Sequence, residues 1–561
     1  MKRVLSLLLS WLLLLAGCGY AEPVARNYLW MDPAKDTLHG YTAYADMILT
    51  YPDPDTVIRC IDQALEGVSD SSNQKACIRA YEAQVQAYNQ LVSATSLAYV
   101  RYCQNMTDET RAAEYSRLNT CLYTIQNKLS RLEKELMDRW DYHRERGEAY
   151  ADDLSRRSRL SDELGSLRAM EDELCRRYER LGEEYRSTYG GRSWSMEELL
   201  ADESMSLPSF LEALEQYEIG KNQAAGSLFV ELIRLRKQMA QQSGYPSYAH
   251  SQYALFGRTY TPEQALAAAR TVKQVFVPLY VRLRQRCEND LRYLSGATFP
   301  EDQFLAAMEE AVDRVLPGAG EAWRYMLAYG LYDSLPSKHK LRGSFTTYFA
   351  AYGCPFLFTQ WNGDASSVFT VIHEFGHFLS YYLNPEGTYY ASEDLDLAET
   401  DAQGFEWLML AEYDPIFGRY ADAARLCFLT NALYAILSGF MEDEFQQRAY
   451  QLKSPTVEDL NQLYAQIAAS YGFDRLFGYE GREWTEIGHT FQFPFYYVSY
   501  GVSMLGAMRL VQGPRNAYKQ VVLRRAGTSF QDAMGTDVLS EEMIRSLAVW
   551  LENIADGWLQ E

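Results

Sequence analysis

The feature that most constrains this chain is the stretch FTVIHEFGHFLSYYL, an apolar run long enough for several helical turns that carries His373, Glu374 and His377 where packing alone would place leucine. Residues four apart share one face of an α-helix, so His373 and His377 can offer ring nitrogens to a single metal ion. Glu374 sits about 100° further round, within reach of water at that metal. Phe369, Val371, Ile372, Phe375, Phe378, Leu379 and Leu383 point in nearly every other direction, so the helix is expected to be buried on most sides. A buried carboxylate without a partner costs several kcal/mol, and a divalent cation compensates the Glu and the imidazoles together. The pattern is that of a zinc hydrolase.

A catalytic zinc takes three protein ligands and keeps its fourth position open. Downstream, Asn384-Pro385-Glu386-Gly387 reads as a stop and turn, and SEDLDLAETDAQGFEWLMLAEY as a second helix. Among its acids Glu393, Asp394, Asp396, Glu399, Asp401 and Glu406, Glu399 lies beside the apolar face marked by Leu395, Leu397, Ala398, Ala402, Phe405 and Leu408, and is the expected third ligand. Asp394 and Asp401 read as solvated flank. Glu406, two turns on, is placed to accept from an imidazole N–H.

These residues resemble the thimet oligopeptidase and oligoendopeptidase F group of zinc metallopeptidases. The resemblance runs over roughly residues 195 to 561, and three segments carry it: ETDAQGFE from Glu399 to Glu406, the Gly-aromatic stretch leading into HEFGH, and LIRLRKQMAQQSGYPSYAHSQY upstream. It implies a mainly α fold, with two helical lobes flanking a deep substrate channel and a small β-sheet next to the metal helix. It also implies Zn²⁺ held by His373, His377 and Glu399, with Glu374 as general base. In IGHTFQFPFYYVSYGVSML it carries substrate binding and oxyanion stabilisation to His489, Tyr496 and Tyr500, with Tyr497 an alternative for one tyrosine role. The implied reaction is hydrolysis of internal bonds in short unfolded oligopeptides. A zinc exopeptidase, or a catalytically silent lipid-anchored peptide-binding protein, remain the other readings, and His and carboxylate ligands also accept Co²⁺ or Mn²⁺.

The N-terminus reads as an export signal. Met1-Lys2-Arg3 is a short basic region, residues 4 to 15 are apolar, and Leu15-Ala16-Gly17-Cys18 resembles a bacterial lipobox. The expectation is a signal peptide over 1–17, a lipid on Cys18, a tether over 18–36, and an extracytoplasmic address at the cell membrane. An ordinary secretory peptide cleaved near Ala21 is the alternative. Losing residues 1–17 removes Lys2 and Arg3 and no acid, taking the net charge from −22 to −24. Such a surface is repelled by nucleic acid and by anionic lipid, so attachment falls to acyl chains.

The rest divides into an N-terminal helical region over 37–191 and a catalytic domain over 192–561, separated at Gly190-Gly191. Between Asp108 and Tyr189, three- and four-residue apolar spacing predicts long antiparallel helices. The strand candidates are SFTTYF and PFLFTQ, between Gly343 and Gln360, a short sheet whose edge could pair with a substrate backbone. Eight cysteines follow Cys18, and Cys60 with Cys77 or Cys103 with Cys121 could form local bridges, free thiols being the alternative.

Overall fold

The computed structural model describes residues 39–70, 73–144, 151, 154–155, 162–390, 394–514 and 516–559. The expected signal peptide, Cys18, the expected tether and Glu393 lie outside them. The fold is mainly helical.

Three N-terminal helices come first: α1 (Pro54–Asp70), α2 (Gln74–Gln104) and α3 (Glu109–Trp140). Asp108 caps α3 by accepting from the Thr110 and Arg111 amides, and the short connection from α2 forces the two long helices antiparallel. Val57, Ile61, Tyr81, Val85, Leu118 and Leu122 close a core of their own. The far end of α2 belongs elsewhere, because Leu97, Val100 and Cys103 join the main core. After α4 (Asp162–Glu184), Gly190 and Gly191, both at positive φ, turn a hairpin of β1 (Ser187–Tyr189) and β2 (Arg192–Trp194). The long α5 (Leu207–Gln242) follows, then α6 (Pro262–Arg286), opened by a capping box between Thr261 and Gln264.

A three-stranded sheet lies beside the metal-motif helix. Its order is β3 (Tyr332–Asp333), β5 (Cys354–Phe358), β4 (Phe345–Phe349), with β4 and β5 antiparallel and β4 at an edge. The aromatic and β-branched residues of SFTTYF and PFLFTQ account for these strands, and all ten positions of β4 and β5 are buried. The ring of Phe345 stacks on Phe358 and contacts Tyr99 of α2, which ties the N-terminal helices to the sheet.

The second half of the chain is built on α7 (Ala365–Leu383), α8 (Leu395–Met409), α9 (Ala421–Gln451) and α10 (Val498–Val511). Asp364 caps α7 through the Ser367 amide at 2.9 Å. A channel of about 2760 Å³ is lined by α2, α3 and the 338–343 loop, which bonds to the end of α2, on one side, and by α4, α5 and residues 477–494, which bond to one another, on the other. Two lobes therefore flank a deep channel, as expected.

One expectation is overturned, and of the two readings of the cysteines the free thiols hold. Asp394 and Asp401 are buried: Asp394 accepts from the Asp396 and Leu397 amides and, across the fold, from the Phe530 amide, while Asp401 takes both terminal nitrogens of Arg524 at 2.7 and 3.0 Å. Neither bridge forms, and the eight described cysteines are free thiols. Cys103 sits in the main core within the fields of Tyr99 and Lys340, whereas Cys121 on α3 answers to Asp55 and Arg117, so the two look in different directions.

One buried carboxyl gives a direct test of this interior. Glu442 on α9 has no exposed surface and lies 2.6 Å from the Tyr464 hydroxyl, and burial pushes its pKa up to about 8. Between its ordinary value of 4.5 and about 8 the folded chain holds the extra proton, so stability falls as pH rises through that window. Glu442→Gln, which needs no proton, is expected to raise the melting temperature by roughly 3 °C at pH 8.5 and to leave it nearly unchanged at pH 5. Equal shifts at both pH values would show that the carboxyl is not protonated on folding.

Candidate active site

The metal-motif helix α7 crosses α8 at a glycine. A Cβ on Gly376 would stand 2.6 Å from Ala402 Cα, 3.1 Å from Ala402 O and 3.2 Å from Phe405 Cβ, so the two backbones meet with no room for a side chain. That contact sets Glu399, one turn before Ala402, against His373, one turn before Gly376, and His377, the residue after it. One ligand atom from each of the three lies within 4.8 Å of the others, the only such cluster of His, Cys, Asp or Glu among the described residues.

The ring nitrogens are already oriented. His373 Nδ1 lies 2.6 Å from Glu406 Oε1, and an ionised carboxylate only accepts, so Nδ1 carries the proton and Nε2 turns its lone pair towards Glu399 Oε2 at 3.6 Å. Burial lowers the pKa of His377 to about 4, which keeps that imidazole neutral at pH 7. Burial works against the Glu399 carboxylate, yet His373, His377 and Tyr496 outweigh it and hold it below the ordinary value. Glu399 Oε1 accepts from the Tyr496 hydroxyl at 2.6 Å. Glu399 Oε2 and both ring nitrogens of His377 are buried with no hydrogen-bond partner. Each such group costs about 1–3 kcal/mol or more when left unmet. Glu399 Oε2 and one ring nitrogen of His377, gathered with His373 around one point, fit a divalent cation, and the mix of imidazole and carboxylate suits zinc.

Glu374 is fully buried next to the ligands, and Thr346 Oγ1 on β4 lies 2.8 Å from its Oε2 and 2.9 Å from its carbonyl oxygen. Nothing in the sequence marks Thr346, since a threonine in a strand is ordinary. It ties the sheet edge to Glu374.

His489 stands in the short helix Gly488–Gln492, its ring 5.2 Å from those of Tyr496 and Tyr497 and 6.0 Å from that of Tyr500. His373, His377 and Glu399 are thus linked through Tyr496 to His489 and Tyr500. The tyrosines differ in direction: Tyr496 reaches Glu399, while the charge felt by Tyr497 is that of Glu442, which with burial raises its pKa. Burial lowers His489 to about 4. The ligands do not line the channel themselves. Phe256 and Phe493 do, and Phe256 packs on Tyr496 while Phe493 packs on both His489 and Tyr496.

No family model matches the chain. Among curated proteins it is similar to oligopeptidase PepF of Bacillus subtilis (strain 168), 27% identical over 282 residues, which is 44% of this chain. The matched part spans 41% of that relative's length. In three dimensions it is similar to PZ peptidase A with an inhibitor (TM-score 0.74, 19% identity) and to a candidate oligoendopeptidase F (TM-score 0.73, 19% identity), each time over 92% of this chain and 99% of the other. Oligoendopeptidase F from Enterococcus faecium matches over 90% and 98%, with TM-score 0.57 and 15% identity. The chain thus shares the fold of these peptidases over nearly its whole length.

The close crossing at Gly376 can be tested alone. Gly376→Ala is expected to push α7 from α8 at a cost of about 1–3 kcal/mol. Zinc affinity, read by competition with a chromogenic chelator, should fall about ten-fold or more while helix content is kept. Unchanged affinity would show that the crossing does not set the ligand geometry.

Proposed function

We propose that this protein is a zinc-dependent metallopeptidase that cuts internal bonds of short, unfolded oligopeptides. The observation that carries the reading is the convergence of His373, His377 and Glu399, with buried ligand atoms left unmet and Glu374 beside them. The peptidase names of the proteins that share its fold support it.

In this reading His373, His377 and Glu399 hold the zinc. Bound there, zinc supplies a polarised substrate carbonyl and a water of lowered pKa. Glu374 accepts the proton of the attacking water and returns it to the leaving amine, and Thr346 fixes the carboxylate for both transfers. Tyr500 and His489 serve as hydrogen-bond donors for the developing oxyanion. Tyr496, bonded to Glu399, sets the third ligand. The channel between the lobes admits an extended chain and excludes a folded domain, and β4, the edge strand that carries Thr346, offers backbone groups for main-chain recognition of the peptide.

The address belongs to the same proposal. We place the mature chain on the outer face of a bacterial membrane, held by lipid on Cys18 after loss of residues 1–17. The basic start, the apolar run and Leu-Ala-Gly-Cys support this. Cys18→Ser should abolish labelling by a fatty-acid probe and move the protein out of the membrane fraction. Labelling that persists would exclude Cys18 as the anchor.

Chemistry is tested by Glu374→Gln. The variant should bind zinc as the parent does and lose about 10³-fold in turnover of an internally quenched peptide with both ends blocked. Chelation should silence the parent, and zinc should restore it. Full activity in the variant would remove Glu374 as the base, and binding without turnover in the parent would favour a peptide-binding role.

A further inference from the structure

Phe495, immediately before Tyr496, has φ of 65°. Only two other non-glycine residues among those described share a positive φ, Asp141 and His143. Asp and His tolerate that region; a bulky phenylalanine does not, and such an outlier persists only where its surroundings over-determine it. Here both halves of its backbone are held. The Phe495 N–H donates to Gln446 Oε1 on α9 at 2.7 Å, and its carbonyl accepts from Arg258 Nη2 at 2.8 Å.

Arg258 is itself tied to the metal-ligand helix. The same Nη2 donates to Ser499 Oγ in the first turn of α10, and Nε lies 3.6 Å from Asp396 Oδ1 in the first turn of α8, one turn before Glu399. The other Asp396 oxygen accepts from the Tyr260 hydroxyl at 2.8 Å, and the guanidinium lies over the ring of Tyr253 at 4.6 Å. One buried side chain thus spans the segment that carries Glu399 and the segment that carries Tyr496. The 2.6 Å contact between those two residues closes the loop.

We propose that Arg258 and Gln446 are positioning residues that clamp the Phe495 peptide in its left-handed conformation and so aim the Tyr496 hydroxyl at Glu399. This rests on the reading of Glu399 as third metal ligand. With either hold removed, Phe495 relaxes to negative φ and the Tyr496 side chain rotates away from α8.

The test uses Gln446→Met, which removes the acceptor without charging the core, and Arg258→Lys, which keeps the charge facing Asp396 but cannot serve both segments. Hydrogen exchange of the metal-free protein should accelerate about ten-fold or more in peptides covering 493–500 and stay unchanged in α7 and α8. With zinc bound, kcat on the blocked peptide should fall about ten-fold with KM within about two-fold. In a Tyr496→Phe background either substitution should change kcat by less than about two-fold, because the group it positions is gone. An equal loss in that background, exchange unchanged at 493–500, or exchange raised throughout α8 would each overturn the clamp. A parent protein that hydrolyses no peptide would defeat the proposed function instead, and the exchange pattern would still decide the clamp.

Discussion

Two helices touch backbone to backbone at Gly376 and Ala402, and the geometry of the site depends on that contact. Here the nearest atoms are main chain, which cannot give way. The His pair comes from one helix and Glu399 from the other, so ligand separation is fixed by how closely two rigid rods lie. The second crossing is built the same way: a Cβ on Gly439 of α9 would stand 2.9 Å from Gly501 N and from Tyr497 O, which sets the tyrosine-bearing α10 against the core. Small residues at both crossings let three helices converge on a volume one ion wide.

Around that point buried charge is the rule, and its treatment separates scaffold from site. Asp401 is matched by Arg524, Asp394 by three backbone amides, and Asp443 by Tyr253 and Gln447. Burial raises the pKa of each of these acids. Glu399, equally buried, is instead held low by the two histidines and Tyr496, yet one of its oxygens and both nitrogens of His377 have no hydrogen-bond partner. Those three acids each have donors, whereas Glu399 Oε2 and a His377 nitrogen are left without one at the point where the cluster gathers, and a cation there would satisfy them. The contrast is the strongest local argument for a cation, and it needs no relative to support it.

Much of this was legible in the sequence where the signal is local. HEFGH, the apolar face beside Glu399, the aromatic strands and the turn at Gly190-Gly191 each show within a dozen residues, because helix and strand periodicity is short-ranged. Asp394 and Asp401 were misread as flank because what buries them lies 136 and 123 residues further on, at Phe530 and Arg524. The link between Arg258 and Phe495 spans 237 positions, and a positive φ at a phenylalanine leaves no mark in the sequence. Gly376 was visible only as part of a motif; its role as a contact point needs the second helix to be in place.

The tyrosines show how such long-range contacts divide roles that spacing leaves merged. Tyr496 and Tyr500, four apart, read as equivalent, and Tyr497 as a substitute for either. With the Tyr496 hydroxyl on Glu399, that phenol acts through the ligand, and stabilisation of a developing oxyanion falls to Tyr500 and His489 in the proposed reaction. His489 suits the task because burial keeps it neutral down to about pH 4. A neutral imidazole can donate one N–H to an oxyanion, whereas an imidazolium would oppose the metal's charge across a low-dielectric gap. The surroundings of the half-buried His489 are therefore what keeps it in the protonation state the proposed chemistry requires.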